Sequence, residues 1–299
     1  MNTLILKLGA TGDVVRTTPF LRHLEGDITW VTSHKNVALL NGIHDRLKCF
    51  SWENRHCVPR VSWDLVINLE DSLEVGQFAK SLQAKRTFGA YLAADDTLRY
   101  TDNANAWFDL SLISKYGRQK ADQLKLLNRR TYQELIFAGL GWRFTDDDTY
   151  LLPRGTDTGL AGDVAIAADS GPVWPMKNWA HYAQLQQALE KRGLKTNVLP
   201  TRPTLLEHLA DVRNHRCLVG GDSLPMHFAL GCGRRCITIF NCTSPWEIHG
   251  YGLQTKIISP LLQEFFYRRN FDPRATAAVT LEEVLGAVLA QTEASLSAK

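Results

Sequence analysis

The sequence has no long apolar run and no secretory leader. No segment of the 299 residues reaches the ~18 uninterrupted apolar residues of a membrane-spanning helix. The apolar stretch at the N-terminus carries no basic leader and no small-residue cleavage site, and the acidic Asp13 soon follows it. We therefore expect a cytoplasmic protein with reduced thiols, in at most peripheral contact with the inner face of the inner membrane.

An excess of charge of one sign is also lacking. The 34 basic and 31 acidic residues leave a net charge of only +3. This balance gives no support for a nucleic-acid partner, whereas it is compatible with an anionic ligand or an acidic membrane surface. With 44% apolar and 22% charged residues the composition is typical of a globular protein, and the length suffices for two domains with their own cores.

The six cysteines show no paired metal-binding pattern. Four of them fall in one region, at Cys217, Cys232, Cys236 and Cys242. Their spacing matches no Cys-X-X-Cys pair, and most lie in or beside apolar runs, which favours buried thiols. Cys49, His56 and Cys57 could in principle hold zinc, although no fourth ligand lies nearby in the sequence.

Short apolar or β-branched runs alternate with stretches of helical periodicity in both halves of the chain. In the first half, strands are predicted at residues 3–8, 28–32, 64–69 and 86–90, followed by irregular residues 91–120 and one amphipathic helix over 123–140. This alternation predicts a mostly parallel sheet covered on both faces. Residues 141–162, rich in glycine and aspartate, are the predicted linker.

After the linker the same pattern begins again. Strands are predicted at 164–167, 195–199, 217–220 and 236–240, and helices at 179–192, 204–213, 224–230 and 281–292. We therefore expect two Rossmann-like α/β domains, 1–152 and 153–299. The last helix is amphipathic, and we expect it to pack back toward the first domain.

The first chemically informative stretch is the turn after the first strand. Gly9 and Gly12 allow a sharp turn with room for a ligand, and Asp13 falls at the start of the following helix. An aspartate there can be an ordinary helix cap, kept ionised by the helix dipole. The alternative is a functional carboxylate at the strand end where open α/β sheets bind ligands.

Two further loops follow predicted strands of the second half. In residues 168–179, Ser170 and Gly171 could offer a hydroxyl and a backbone N–H, and Lys177 could meet a phosphate, or could be a solvated surface lysine. Residues 219–230 read as strand, double glycine, an Asp222-Ser223 cap and an early proline, a helix start suited to a pyrophosphate. A capped helix with a packed histidine is the alternative.

Three stretches together carry a family resemblance. They are K-L-G-A-T-G-D-V-V-R-T-T-P at the start, P-M-K-N-W before a helix, and G-G-D-S-L-P-M-H-F-A-L-G followed by I-T-I-F-N-C-T-S-P. Their order and placement over the whole chain resemble glycosyltransferase family nine, the bacterial ADP-heptose heptosyltransferases of the lipopolysaccharide inner core. The resemblance implies a GT-B fold, in which an N-terminal acceptor domain and a C-terminal nucleotide-sugar domain face each other across a cleft.

The resemblance also implies roles for individual residues. Asp13 matches the general base of an inverting transfer. We expect Gly9, Thr11, Gly12 and Arg16 either to meet the acceptor or to shape this loop. The donor contacts that the resemblance implies are Ser170, Gly171, Lys177, Asp222, Ser223, Leu224, Met226 and His227. The implied partners are a nucleotide-sugar donor such as ADP-heptose and a surface glycan acceptor, lipid-linked or free, with no metal and no other cofactor.

The chain departs from the family pattern in three places. Only residues 200–203 separate a strand from a helix where the family has a longer loop with a ribose-binding glutamate, and Glu207 is the nearest acid. Leu224 stands where glycine is common, and residues 263–269 replace a cysteine-rich tail. Three alternatives stay open: transfer to a protein or small-molecule acceptor, a non-catalytic nucleotide-sugar-binding member, and a sugar-nucleotide epimerase of the same fold.

Overall fold

The computed structural model describes residues 1–297, and the side chains of residues 1–292. Contacts divide the chain into two compact units, Met1–Pro153 and Arg154–Lys299. The division falls within the predicted linker, and each unit contains one sheet and its own buried core.

The first unit contains a six-stranded sheet in the order β3-β2-β1-β4-β5-β6. All neighbouring strands run parallel except β5 and β6. The strands are β1 Asn2–Leu6, β2 Asp27–Thr32, β3 Leu47–Ser51, β4 Leu65–Asn68, β5 Thr87–Leu92 and β6 Leu98–Tyr100. In β1 and β4 almost every residue is buried, as expected for strands covered on both faces.

Six helices accompany this sheet. They are α1 Thr11–Thr17, α2 Val37–Leu40, α3 Leu73–Lys80, α4 Asn105–Phe108, α5 Arg118–Leu127 and α6 Tyr132–Leu140. The single helix predicted over 123–140 is therefore wrong. The chain leaves α5 at Asn128 and starts α6 with a capping box, in which Thr131 and Glu134 satisfy each other's backbone N–H groups.

The second unit contains a fully parallel five-stranded sheet in the order β11-β10-β9-β7-β8. Its strands are β7 Gly162–Ala167, β8 Thr196–Val198, β9 His215–Gly221, β10 Arg235–Phe240 and β11 Gln254–Ile258. Its helices are α7 Tyr182–Glu190, α8 Leu205–Arg213, α9 Leu224–Gly231, α10 Leu262–Phe265, α11 Pro273–Ala277 and α12 Leu281–Ser297.

The last helix, α12, covers one face of the second sheet. Val284 and Val288 are fully buried in the core formed with Val219 and Ile237. Its position relative to the first unit stays a prediction. Strands β3, β6 and β11 were not predicted, whereas all eight predicted strands are present with shifts of a few residues at their ends.

Candidate functional site

Each sheet has one point where the order of its strands reverses. In the first unit this point lies between β1 and β4, because the chain moves outward to β2 and β3 on one side and to β5 on the other. In the second unit it lies between β7 and β9. Open α/β sheets bind ligands beyond the carboxyl ends of the strands at such points. Two candidate sites follow, one in each unit.

At the first switch point a lysine and a glutamate follow the paired ends of β1 and β4. Leu6 is in register with Asn68, so Lys7 and Glu70 emerge side by side. Lys7 Nζ lies 2.9 Å from Glu70 Oε1, and the same oxygen accepts the backbone N–H groups of Leu8 at 2.8 Å and Gly9 at 3.4 Å. One carboxylate thus fixes the start of the loop that leads to Asp13.

Asp13 lies between two cations. Its carboxylate is 2.9 Å from Arg16 NH2 and 4.0 Å from Lys7 Nζ, and one third of its side chain is exposed. Burial alone lowers the pKa of Lys7, but the carboxylates of Glu70 and Asp13 outweigh it and raise this pKa. Lys7 is therefore cationic at neutral pH. The arrangement favours an ionised, solvent-accessible carboxylate at position 13.

The structure corrects the predicted cap. Ala10, not Asp13, is the N-cap of α1, and Asp13 is the third residue of the helix. Its carboxylate pairs with Arg16 across one turn and lies near the positive end of the helix dipole. The Arg16 guanidinium stacks 4.2 Å from the ring centre of Tyr132 and 5.3 Å from that of Trp107. These two aromatic rings thus hold the arginine beside Asp13.

The other loop residues shape the backbone. Thr11 donates its hydroxyl to Asn36 Oδ1, and Asn36 in turn donates to the carbonyl of Leu8. A Cβ on Gly9 would meet no atom within 4 Å, so the loop leaves open space at this position. Gly12 lies inside the first turn of α1. Direct contacts of these residues with an acceptor stay a prediction.

At the second switch point Lys177 meets Asp222. Lys177 Nζ donates to the Asp222 carbonyl at 2.6 Å and lies 3.1 Å from Asp222 Oδ2. Burial alone raises the pKa of Asp222, but the positive charges of Lys177 and His227 outweigh it and hold this pKa below its usual value. The pair joins the loop after β7 to the loop after β9.

Close backbone approach makes this junction possible. A Cβ on Gly221 would lie 2.5 Å from the carbonyl oxygen of Lys177 and 3.2 Å from Ser170 Oγ. Ser170 Oγ is buried and has no hydrogen-bond partner among the described residues. The N–H of Gly171, predicted to face a ligand, instead donates to Asp169 Oδ1 at 2.7 Å. The hydroxyl of Ser170 therefore remains as the polar group of this loop that needs a partner.

Helix α9 begins directly after Asp222. Ser223 is its N-cap but makes no side-chain capping bond, in contrast to the predicted Asp-Ser cap, and a proline stands in the first turn. The positive end of the helix dipole is thus open toward the loop. Met226 and His227 are buried within the helix, so their predicted donor contacts stay predictions.

A pocket of about 300 Å³ lies beside this helix start. The loops after β7 and β8 and the first residues of α8 and α9 form its walls, with Ser170, Pro200, Arg202, His208 and Leu224 among the lining residues. Arg202 donates to both carboxylate oxygens of the fully buried Asp211, at 2.6 and 3.0 Å. Burial lowers the pKa of His208. The pocket is thus lined by the neutral imidazole of His208 and by the guanidinium of Arg202, which Asp211 holds in place.

Two other kinds of site are absent from the described part of the chain. No group of three or more His, Cys, Asp or Glu residues is placed to hold a metal ion, so Cys49, His56 and Cys57 form no such cluster. In the same part of the chain, none of the helices combines the length and apolar character needed to cross a bilayer.

Several side chains of these sites were missed by sequence reasoning. Glu70, Tyr132, Arg202 and His208 belong to no motif that we recognised. Glu70 had one usable signal: it directly follows an apolar strand, as Lys7 does. The others come together only through the fold.

The fold and part of the sequence match known proteins. Residues 179–269 match the model of glycosyltransferase family 9 (heptosyltransferase), a segment that includes Asp222 and α9 and begins after Lys177. No protein of curated function matches the chain in sequence. The resemblance that the motifs indicated is thus confirmed within the second unit.

Three solved structures match over nearly the whole chain. A Veillonella parvula family 9 glycosyl transferase has 18% identity and a TM-score of 0.67, with 98% of this chain and 97% of that chain covered. E. coli heptosyltransferase WaaC with ADP has 15% identity and a TM-score of 0.64, with 97% and 100% covered. E. coli ADP-heptose lps heptosyltransferase II has 14% identity and a TM-score of 0.57, with 99% of both chains covered.

These matches identify the class of fold to which the chain belongs. The chain has the α/β GT-B fold of glycosyltransferases, with two mostly parallel sheets. Within that class it is a heptosyltransferase-like protein similar to glycosyltransferase family 9.

Proposed function

We propose that the protein is an inverting, metal-independent glycosyltransferase that moves a heptose from a nucleotide-diphosphate sugar, such as ADP-heptose, to a hydroxyl of a bacterial surface glycan. The observation that carries the proposal is the second site. There Lys177, the open start of α9 and the unpartnered hydroxyl of Ser170 adjoin a pocket of about 300 Å³. A cation and a helix N-terminus suit a diphosphate, and the adjoining pocket suits a nucleoside.

Asp13 is the general base in this proposal. Its carboxylate takes the proton of the acceptor hydroxyl as that oxygen attacks the anomeric carbon of the donor. The bond from the anomeric carbon to the phosphate oxygen breaks, and the electron pair leaves with the nucleoside diphosphate. Attack from the face opposite the leaving group inverts the configuration. Lys7 and Arg16 keep the base ionised before the step.

The donor site supplies leaving-group stabilisation. Lys177 and the dipole of α9 would stabilise the negative charge that develops on the departing diphosphate. The residues proposed to contact the donor are Ser170, Gly171, Lys177, Asp222, Ser223, Leu224, Met226 and His227. Two structures of similar fold are E. coli heptosyltransferase WaaC with ADP and with ADP-2-deoxy-2-fluoro heptose, which supports an adenine nucleotide for this chain.

A thermal-shift titration tests the donor assignment. A ligand that binds only the folded state stabilises it by about 2.7 kcal/mol at a hundredfold excess over Kd. We expect ADP to raise the melting temperature more than GDP, UDP, CDP or dTDP do. Release of ADP from ADP-heptose on addition of a glycan acceptor then tests transfer. A preference for another nucleotide would overturn the ADP assignment, and binding of none would overturn the proposed function.

The alternative functions differ in the acceptor that they use and in whether the protein is catalytic. A same-family transferase that acts on a protein or a small-molecule sugar would release ADP with that acceptor and not with lipopolysaccharide core. A non-catalytic nucleotide-sugar-binding member would bind ADP and release none. The short loop at residues 200–203 favours weaker ribose contacts, whereas the joint presence of Asp13 and Lys177 favours catalysis.

A further inference from the structure

The segment that replaces the family's cysteine-rich tail places an arginine beside the second site. The guanidinium of Arg269 lies 4.9 Å from the ring centre of Trp174, and Lys177 Nζ lies 5.5 Å from the same centre. The two cations are therefore no more than about 10 Å apart, within the range where charges in a protein surface still interact. Two cations at this separation both attract an anion placed between them.

The backbone ahead of Arg269 is held in place by Tyr267. The φ of Tyr267 is +55°, a conformation uncommon for residues other than glycine. Its N–H donates to the Cys242 carbonyl at 2.8 Å, and its hydroxyl donates to Glu247 Oε1 at 3.2 Å. Its ring also meets the Trp174 ring edge to face at 5.5 Å. The chain is thus anchored to the loop after β10 at the point where it delivers Arg269.

The nearby cations differ in their carboxylate partners. Lys177 is paired with Asp222, and Arg274 is paired with both Glu264 and Asp272. No carboxylate among the described residues lies within ion-pair distance of Arg269. A nucleoside diphosphate sugar carries two negative charges at neutral pH, and Lys177 is already paired with one carboxylate. With a diphosphate bound, the negative charges of the phosphates and Asp222 would therefore exceed the positive charge of Lys177. A further cation would offset this excess.

The order of the strands gives a direction along the edge of the sheet. The pocket lies at the loops after β7 and β8, and the Lys177–Asp222 pair joins the loops after β7 and β9. Arg269 and Tyr267 lie toward β10, on the opposite side of the pair from the pocket. A ligand with its nucleoside in the pocket and a phosphate at Lys177 would extend toward Arg269.

We propose that Arg269, stacked on Trp174, is a second cation of the donor site and binds the phosphate that is farther from the nucleoside. Trp174 and Tyr267 then line the space for the transferred sugar. This inference rests on the proposed function, because it assumes a nucleoside diphosphate in the second site. It adds to the site a residue that acts on the leaving group.

Nucleotide binding by calorimetry separates this role from a structural one. ADP and AMP are titrated into the wild-type protein and the variants R269A, R269Q and R268A. Arg268 is the matched control, since it is also exposed but lies over Phe265 at 5.9 Å. Loss of a charge-assisted contact predicts that R269A and R269Q bind ADP roughly tenfold to a hundredfold more weakly, with AMP affinity unchanged. R268A should bind both as the wild type does.

The outcomes distinguish this inference from the proposed function. If R269A binds ADP as tightly as the wild type, or loses ADP and AMP affinity equally, Arg269 does not bind the distal phosphate, while the proposed function stands. If the wild-type protein binds neither nucleotide, both proposals fail. Melting temperatures of the unliganded variants, expected to equal that of the wild type because the side chain is exposed, exclude misfolding as the cause.

Discussion

The two switch points occupy equivalent places in their sheets but differ in the number and exposure of their charged groups. In the first unit two cations, Lys7 and Arg16, face two carboxylates, Glu70 and Asp13, and one of these carboxylates is one-third exposed. In the second unit the charged pair Lys177–Asp222 is mostly buried, and a helix N-terminus and an unpartnered hydroxyl lie beside it.

This difference separates the two chemical tasks of a transferase. The first arrangement keeps a carboxylate ionised and accessible, which suits proton removal from a neutral hydroxyl. The second places a lysine and an open helix N-terminus together, which suits an anionic donor and its leaving group. In the proposed function, the same fold position therefore carries the base in one unit and binds an anion in the other. Each of the following changes should affect one unit and leave the other intact.

Removal of the base should have the largest effect. Asp13→Asn keeps the shape of the side chain but cannot accept the proton, so we expect transfer to slow by about 10²- to 10⁴-fold. ADP affinity should be unchanged, because the donor site lies in the other unit. The measurements are ADP release in a transfer assay and ADP binding by calorimetry. Full transfer activity in this variant would show that Asp13 is not the base.

Removal of Lys177 should weaken ADP binding, which Asp13→Asn leaves unchanged. Lys177→Met leaves the buried carboxylate of Asp222 without its closest cation, which costs on the order of 3 kcal/mol of stability. It should also weaken ADP binding strongly. Chemical denaturation and calorimetry measure the two effects, with the exposed Lys191→Met as a control. In the double variant K177M/D222N stability should recover in part while ADP binding stays weak, whereas recovered binding would contradict a phosphate-binding role.

Glu70 should affect catalysis without affecting the donor. Glu70→Ala removes the acceptor of two backbone N–H groups and the partner of Lys7, so the loop that carries Asp13 loses its anchor. We expect kcat to fall by roughly tenfold or more, as for other small displacements of catalytic groups, with ADP affinity unchanged. The exposed neighbour variant Asp71→Asn is the control. An unchanged kcat in E70A would mean that the loop holds its shape without Glu70.

The smallest expected effect is a pH dependence of stability in the second unit. Burial lowers the pKa of His208 below the unfolded value near 6.5, so the folded protein keeps this imidazole neutral while the unfolded chain takes up a proton. Its contribution to stability is thus complete above pH 6.5 and declines as the pH falls from there toward the folded-state pKa.

Denaturation of the wild type and His208→Gln between pH 7.5 and 5 measures this contribution. The variant should lose part of the pH dependence. His215, whose pKa is also lowered by burial, accounts for a further part in both proteins. His181→Gln, at the N-cap of α7, is the control. Identical pH profiles for the wild type and H208Q would contradict this assignment.

The buried parallel strands of the fold could be predicted from the sequence, whereas three of the four edge strands could not. Strands such as β1, β4 and β7 are nearly continuous apolar runs. By contrast β3 and β11 lie at sheet edges and include the polar Lys48 and Lys256, so their patterns do not stand out. The break between α5 and α6 carried a signal, since Thr131 and Glu134 have the spacing of a capping box, but the apolar periodicity on both sides concealed it.

The residues of the candidate sites also differ in whether the sequence alone could identify them. Asp13, Lys177 and Asp222 follow strands within recognisable motifs, so the sequence sufficed to select them. Glu70 needed the strand order, which places β4 next to β1. Trp174 and Arg269 are separated by almost a hundred residues, and only the fold brings them together. Sequence patterns indicate strand ends, whereas which ends are neighbours depends on topology.

The separate buried cores of the two units have a consequence for calorimetry. Chains with more than one domain often depart from a single two-state transition. We therefore expect heat capacity traces of this protein to show two transitions, one for residues 1–153 and one for residues 154–299. Because the proposed donor site lies wholly in the second unit, a nucleotide should displace mainly the second of these peaks, and an averaged midpoint would understate its affinity.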